Sequence, residues 1–238
     1  MRPAIHIFAA ALAATLLVLV SCLAVPTASA AGVDSISKAD SVAGLKAALS
    51  QGTDRAVSML GAADGFLGNP KVRIPLPAGL AKGERMFKML GLDAQAKDLV
   101  TAMNRAAEAA VPEARTLLVD SVKQMSVDDA RQILTGSDDA ATQYFKRTSY
   151  DRLAARFLPI VKQTTDRSEL AKQYNQFAGQ VARLGAIDPR DARVEDYVTR
   201  KALDGLFVMI AEEERAIRKD PFGQTSKLLQ SVFSAVKK

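Results

Sequence analysis

Carboxylates are the residues of this sequence best suited to chemistry. Asp138-Asp139, followed by Gln143 and Tyr144, forms one cluster, and Asp188, Asp191 and Glu195 form a second. An Asp pair can hold a hard divalent cation, which takes oxygen ligands, and a carboxyl group in an apolar pocket can act as a general acid. The same residues also suit helix N-termini, where negative charge meets the positive end of the helix dipole. The spacing of the second group is not that of a calcium-binding EF-hand loop, and it reads as solvated turn chemistry. Asn104, Arg105 and Glu108 are a third constellation, set in a stretch otherwise rich in alanine. Asn104 and Glu108 are four apart and share a helix face. They read either as a polar network between packed helices or as the polar lining of a pocket. Glu212-Glu213-Glu214, with Arg215 and Arg218, reads as the solvated end of an apolar helix.

Much other chemistry is excluded. The chain has one His and one Cys, and no Trp; the two are His6 and Cys22, both within the first thirty residues. Without an imidazole or free thiol beyond that segment, no Ser-His-Asp or Cys-His arrangement can form. A zinc site would lack its usual ligands. No phosphate-binding Gly-rich loop of the P-loop or dinucleotide type is present. A sugar hydrolase would want aromatic platforms, and Tyr occurs only at 144, 150, 174 and 197. The expectation is no catalytic residue, no metal and no cofactor. A carboxylate- or divalent-metal-dependent enzyme is the alternative, with Asp138 and Asp139 the first residues to test.

The N-terminal segment explains where the His and Cys sit. Arg2 precedes a run, residues 7–25, broken only by Thr15, Ser21 and Cys22; Pro26 follows, then Ala28-Ser29-Ala30. This is a secretion signal over residues 1–30, with the small-x-small pattern that signal peptidase cleaves. Leu19-Val20-Ser21-Cys22 also resembles a bacterial lipobox, in which the Cys is acylated and becomes the new N-terminus. Cleavage before Ala31 gives a soluble periplasmic chain, and cleavage before Cys22 gives one anchored to the envelope membrane through Cys22. Both predict export. One Cys cannot form an intramolecular disulfide, so stability must come from burial.

Composition bounds the rest. The 238-residue chain is 48% hydrophobic, 24% charged and 5% aromatic, and carries a net charge of +6, one unit of it from Arg2. It is globular, and rich in Ala at the expense of the aromatic and β-branched residues that favour sheets. The positive charge is modest, with no run of four Lys/Arg and no aromatic–basic interleaving, so no nucleic-acid partner is expected.

Helical spacing starts at Asp40 with Val42, Leu45, Leu49, Val57 and Leu60. Gly52 should weaken or break that helix. Residues 61–79 are turn-rich: Asp64-Gly65, Gly68 and Asn69-Pro70 precede the alternating Val72-Arg73-Ile74-Pro75-Leu76-Pro77. Proline cannot donate to a ladder, so this is an edge strand or polyproline-like arm, packed across the body or presented to a partner. Further helices are predicted over 79–90, 93–110, 112–125 and 127–135, the last capped by Ser126. Another starts at Ser137 or Asp138, a separate one near Ser149 carries Pro159, and one spans 168–184. A helix from Glu195 to Lys219, apolar almost all round, belongs at the centre. An amphipathic helix with Leu228, Leu229, Val232, Phe233 and Val236 closes the chain. The fold class is all-α: a single-domain irregular bundle over residues 38–236 with about eight to ten helices and one extended arm near 70–77.

Several stretches carry a family resemblance: residues 65–77 (GFLGNPKVRIPLP), Met103-Asn104-Arg105-Ala106-Ala107-Glu108, and Val111-Pro112-Glu113-Ala114. Ile133-Leu134-Thr135-Gly136 running into Asp138-Asp139-Ala140-Ala141-Thr142-Gln143-Tyr144-Phe145 is another, with Tyr197-Val198-Thr199, residues 201–207 and residues 209–214. On these the chain resembles the bacterial family catalogued as domain of unknown function 4197, from about Lys38 to Val236. The resemblance implies export and a helical fold, and brings no established activity. The resulting expectation is a non-enzymatic envelope protein that binds an apolar, lipid-like ligand or a protein partner. Its candidate ligand contacts are Asn104, Arg105, Glu108, Asp138, Asp139 and Tyr144.

Overall fold

The computed structural model describes residues 38–77, 91, 93–183 and 188–219. They belong to one compact unit, Val33–Lys238. The helices expected over 79–90 and 228–236, and the export segment with Cys22, lie outside the described residues. Among the described residues the regular structure is wholly helical, as the composition requires. In chain order it comprises α1 (Lys38–Gly61), α2 (Asp93–Ala110), a 3-10 turn (Val111–Glu113), α3 (Ala114–Gln124), α4 (Val127–Thr135) and α5 (Ala140–Thr165). Then come α6 (Glu169–Arg183), a second 3-10 turn (Pro189–Asp191) and α7 (Val194–Lys219).

Local signals account for most boundaries. Pro112 lies in the first turn of the 3-10 segment, where its missing N–H is harmless. Ser126 and Asp129 form a reciprocal capping box at the start of α4. Gly52 does not break α1. It faces α7, where a Cβ would meet Ile217 Cδ1 at 3.3 Å. The boundary expected near Ser149 is also absent, and α5 is continuous for 26 residues through Pro159. The hydroxyls of Thr148 and Ser149 explain this. They donate to the carbonyls of Tyr144 and Phe145 one turn earlier instead of capping a new helix.

α5 and α7 form the most extensive helix pair, and α2 and α1 pack across them. The core runs through all the helices, with Phe66, Phe145, Phe157 and Phe207 among its largest buried side chains. α7 is central, but not apolar all round: Asp204 and Val208 lie on an exposed stripe. The arm is an ordered strap with no strand partner. Phe66, Val72 and Ile74 point inward, and Arg73 and Pro75 outward.

Two glycines make room for the strap. A Cβ on Gly65 would come within 2.5 Å of the Leu60 and Met59 carbonyls, and one on Gly205 of α7 within 2.8 Å of the Phe66 ring. The non-glycine residue Asp64 takes the left-handed conformation at the turn, with φ 65°.

Candidate functional site

Asn104, Arg105 and Glu108 of α2 are spent on the strap and the turn before it. The Asn104 side-chain amide accepts from Ile74 N–H at 2.8 Å and donates to the Ile74 carbonyl at 2.9 Å, pairing with the arm as a neighbouring strand would. Glu108 Oε1 accepts from Phe66 N–H at 3.0 Å and Leu67 N–H at 3.1 Å, and its Oε2 accepts from Arg105 at 2.6 Å. Arg105 continues to Asp64 at 2.8 Å. From α7, the Tyr197 hydroxyl donates to the Pro75 carbonyl, and Glu212 accepts from Lys71. Of the two readings of Asn104, Arg105 and Glu108, the geometry shows the network, directed at the arm's backbone instead of at another helix.

The Asp138 cluster is arranged differently from a helix cap. Asp139 occupies the N-cap position of α5, but its carboxylate accepts from no backbone N–H of the helix; it accepts from the side chains of Ser137 and Gln143. Those two hydrogen bonds hold the Asp139 carboxyl below its ordinary range. Asp138 is exposed. The cap comes from Glu214, which is 4% exposed rather than solvated. It accepts from Ala141 N–H, Thr142 N–H and the Thr142 hydroxyl, each at 2.9 Å, and from Arg218 at 2.8 Å. The Tyr144 ring is buried, and its hydroxyl donates to the Ser121 carbonyl at 2.8 Å.

The second acidic group is also only partly turn chemistry. Asp188 caps the 3-10 turn, and its hydrogen bonds to Arg190 lower its carboxyl to about 2. Asp191 pairs with Arg200. Glu195, by contrast, is 1% exposed and accepts from Arg193 and from Asn175 at 2.9 Å. Burial pushes its carboxyl up, but its backbone, Arg193 and Asn175 hydrogen bonds outweigh that and hold it below the ordinary value. Among the described residues no cluster of three or more His, Cys, Asp or Glu could hold a metal ion.

A concave feature of about 380 Å³ has a largely polar lining that includes Gln95 and Asp98 of α2, Thr164 of α5 and Glu169 of α6. A second, more apolar one lies between α5 and α7. It is a groove of about 280 Å³ lined by Tyr150, Ala154, Ala155 and Leu158 of α5 and by Asp196, Thr199, Arg200 and Leu203 of α7. The first set follows the spacing i, i+4, i+5, i+8 and the second i, i+3, i+4, i+7, so each is one helix stripe. The Tyr150 ring stacks on Phe207 with centroids 6.2 Å apart, which sets the start of the α5 stripe beside the later part of the α7 stripe.

Thr199 is the anomaly in this groove. It is 6% exposed, yet its hydroxyl has no hydrogen-bond partner. Thr101, Ser121, Thr135, Thr148, Ser149, Thr164 and Thr165 all donate to the carbonyl four residues earlier. Thr199 does not. Thr53 is also unpaired but does not line this groove. Pro159 has no N–H, so the carbonyl of Ala155 beside the groove lacks its helical donor. Burial raises both the Asp196 carboxyl and the Tyr150 phenol above their ordinary ranges.

None of the six candidate ligand contacts, Asn104, Arg105, Glu108, Asp138, Asp139 and Tyr144, lines this groove. The signal that could have found it was the pair of stripes, one of Tyr150, Ala154, Ala155 and Leu158 and one mixed at 196, 199, 200 and 203. A single sequence does not say that these two stripes face one another.

Fold and groove together define an all-α bundle with an interhelical cleft. The chain belongs to the family described as protein of unknown function, DUF4197, whose model matches residues 35–234. No curated protein and no solved structure matches it.

Proposed function

We propose that this chain is an exported, non-enzymatic protein of the cell envelope that holds a small apolar ligand between α5 and α7. The observation that carries the reading is the interhelical cleft of about 280 Å³ itself, with Ala154, Ala155, Leu158 and Leu203 in its lining. Bundles commonly place ligand sites between helices, with an apolar lining and few polar groups. The export pattern of residues 1–30 supports an envelope location, and the absence of imidazole and free thiol beyond it supports a binding role. Among the described residues no helix is long and apolar enough to cross a membrane. An acylated Cys22 would supply attachment.

Native mass spectrometry of the chain purified from envelope extracts tests the reading. A discrete apolar adduct is expected, and it should disappear in Ala155→Trp, which fills the groove. A chain free of any adduct, or an adduct indifferent to Ala155→Trp, would overturn it. The same spectra decide export. A mature chain starting at acylated Cys22 or at Ala31 supports it, and one retaining Met1 in envelope-competent cells would refute it.

A further inference from the structure

We propose that one face of α5 is a basic docking surface for the anionic head groups of a phospholipid bilayer. The surface is separate from the α5–α7 cleft, and the choice of a bilayer rests on the envelope location proposed above.

The first observation is where the net charge resides. α5 carries five basic residues, Lys146, Arg147, Arg152, Arg156 and Lys162, against one acid, Asp151. That is a net charge of +4 on one helix, in a chain whose total is +6. The other long helices are nearly balanced: three basic residues against two acids in α1, two against three in α2, and five against six in α7.

The second observation is which of these cations lack a carboxylate. Nine arginines elsewhere in the fold or on α5 are ion-paired. Arg152 and Arg156 of α5, and Arg167 just beyond its end, are exposed and make no ion pair or side-chain hydrogen bond among the described residues. Arg152 and Arg156 are one turn apart, and Ile160 and Thr164 continue their stripe for about 18 Å at 1.5 Å per residue. Thr164 and Arg167 line the same polar concavity, so the third arginine extends the row. Asp151 directly precedes Arg152 and does not share its face. Like charges one turn apart repel, and a surface of negative charge removes that repulsion.

The third observation is the shape of the face. Arg152 and Arg156 line neither of the two clefts described above. Ala155 and Pro159, each three residues after an arginine of the row, are exposed beside it. A regular row of cations interspersed with small apolar residues suits a plane of phosphates at a head-group boundary, which arginine can bind bidentately. Asp98 and Glu169 share the concavity with Arg167, and Glu169 is answered by Lys172, so Arg152 and Arg156 carry most of the attraction.

Co-sedimentation with vesicles tests the proposal, using the chain from Ala31 onward so that no acyl group contributes. One set of vesicles is phosphatidylcholine, and the other is an equal mixture of phosphatidylcholine and phosphatidylglycerol. Binding is expected to the anionic set, and it should fall steeply at high salt. Each arginine near an anionic bilayer strengthens binding about fivefold, so Arg152→Gln/Arg156→Gln/Arg167→Gln should lose about a hundredfold. These positions are exposed and unpaired, so the variant should fold. Lys123→Gln/Arg131→Gln/Arg190→Gln removes the same charge from other surfaces and should lose far less. Equal binding to both sets, or binding to neither, would overturn the proposal. So would a row variant that keeps its affinity, or a control variant that loses as much, which would assign binding to net charge instead of this face. Capture by soluble polyglutamate without vesicle binding would assign the face to an acidic polypeptide and overturn the bilayer. The N-terminal mass described above is read independently, so failure of the docking face and failure of export are distinguishable.

Discussion

Glu108, Glu195 and Glu214 are each buried, and each is answered by an arginine and by further hydrogen-bond donors. A buried carboxylate is tolerated only when its oxygens are satisfied, so removing it strands its partners. Glu214→Ala leaves two N–H groups of α5 and the Arg218 guanidinium unmatched. It should lower unfolding free energy by about 3–5 kcal/mol in urea titration, on the usual cost of breaking a buried pair. A loss under 1 kcal/mol would show that water replaces the carboxylate. Glu195 predicts a pH effect. Its folded carboxyl lies below the ordinary 4.5, so it stabilises the fold above that value, and the contribution is lost as pH falls through the lower folded value. Glu195→Gln should therefore flatten the acid limb of a stability-against-pH curve. An unchanged limb would place the acid sensitivity elsewhere.

These glutamates also mark where sequence reasoning reached its limit. The capping box of Ser126 was legible because both partners are three residues apart. Asp138-Asp139 offered the same local signal, but the cap of α5 comes from Glu214, which no local rule could assign. Glu214 itself sits in a run of three acids beside two arginines, a pattern that reads as solvated. Only the packing of α7 against α5 distinguishes it from Glu212 and Glu213. Asn104 and Glu108 were found because polar residues stand out among alanines, while their target, the backbone of residues 66–74, was not visible. Thr199 was visible only as part of a family stretch, and nothing there marked its hydroxyl as unpaired, since a helical threonine ordinarily bonds to its own turn.

At the scale of elements, the strap and α7 are fitted to each other. Gly205 leaves space for the Phe66 ring, so Gly205→Ala should cost about 1–3 kcal/mol through overpacking, despite alanine's better helix propensity. Thermal unfolding reads this, and a rise in midpoint would show that the ring simply moves aside. Asn104→Ala removes both partners of Ile74. The strap's exposed basic residues, Lys71 and Arg73, then become better trypsin sites, and cleavage there should accelerate at least severalfold under native conditions. Equal rates would mean that Phe66, Val72 and Tyr197 hold the strap without the amide. The turn chemistry and the Pro-Leu-Pro end of this segment were plain in the sequence. Its path over α2 and α7 was not, because an extended segment has no periodic face that names its partner. The merged α5 is the converse case, a place where local helix-start signals were absorbed by side chains bonding within the helix.

For the whole molecule, the all-α architecture followed from composition and period, while the position of the cleft followed from how two long helices pair. The pairing of α5 with α7 brings together stripes some forty residues apart in the chain. It also fixes the order in which the fold can be completed. The first turn of α5 waits for Glu214, 73 residues further on, and the strap waits for Tyr197, 122 residues beyond Pro75. A chain ending at residue 193 should show no cooperative unfolding transition, and a sharp transition in that fragment would contradict the dependence. During synthesis, then, nearly the whole polypeptide must emerge before its helices can lock. For a protein proposed to be exported, this delay would keep the emerging chain open to the export machinery: until α7 is made, the fold cannot close.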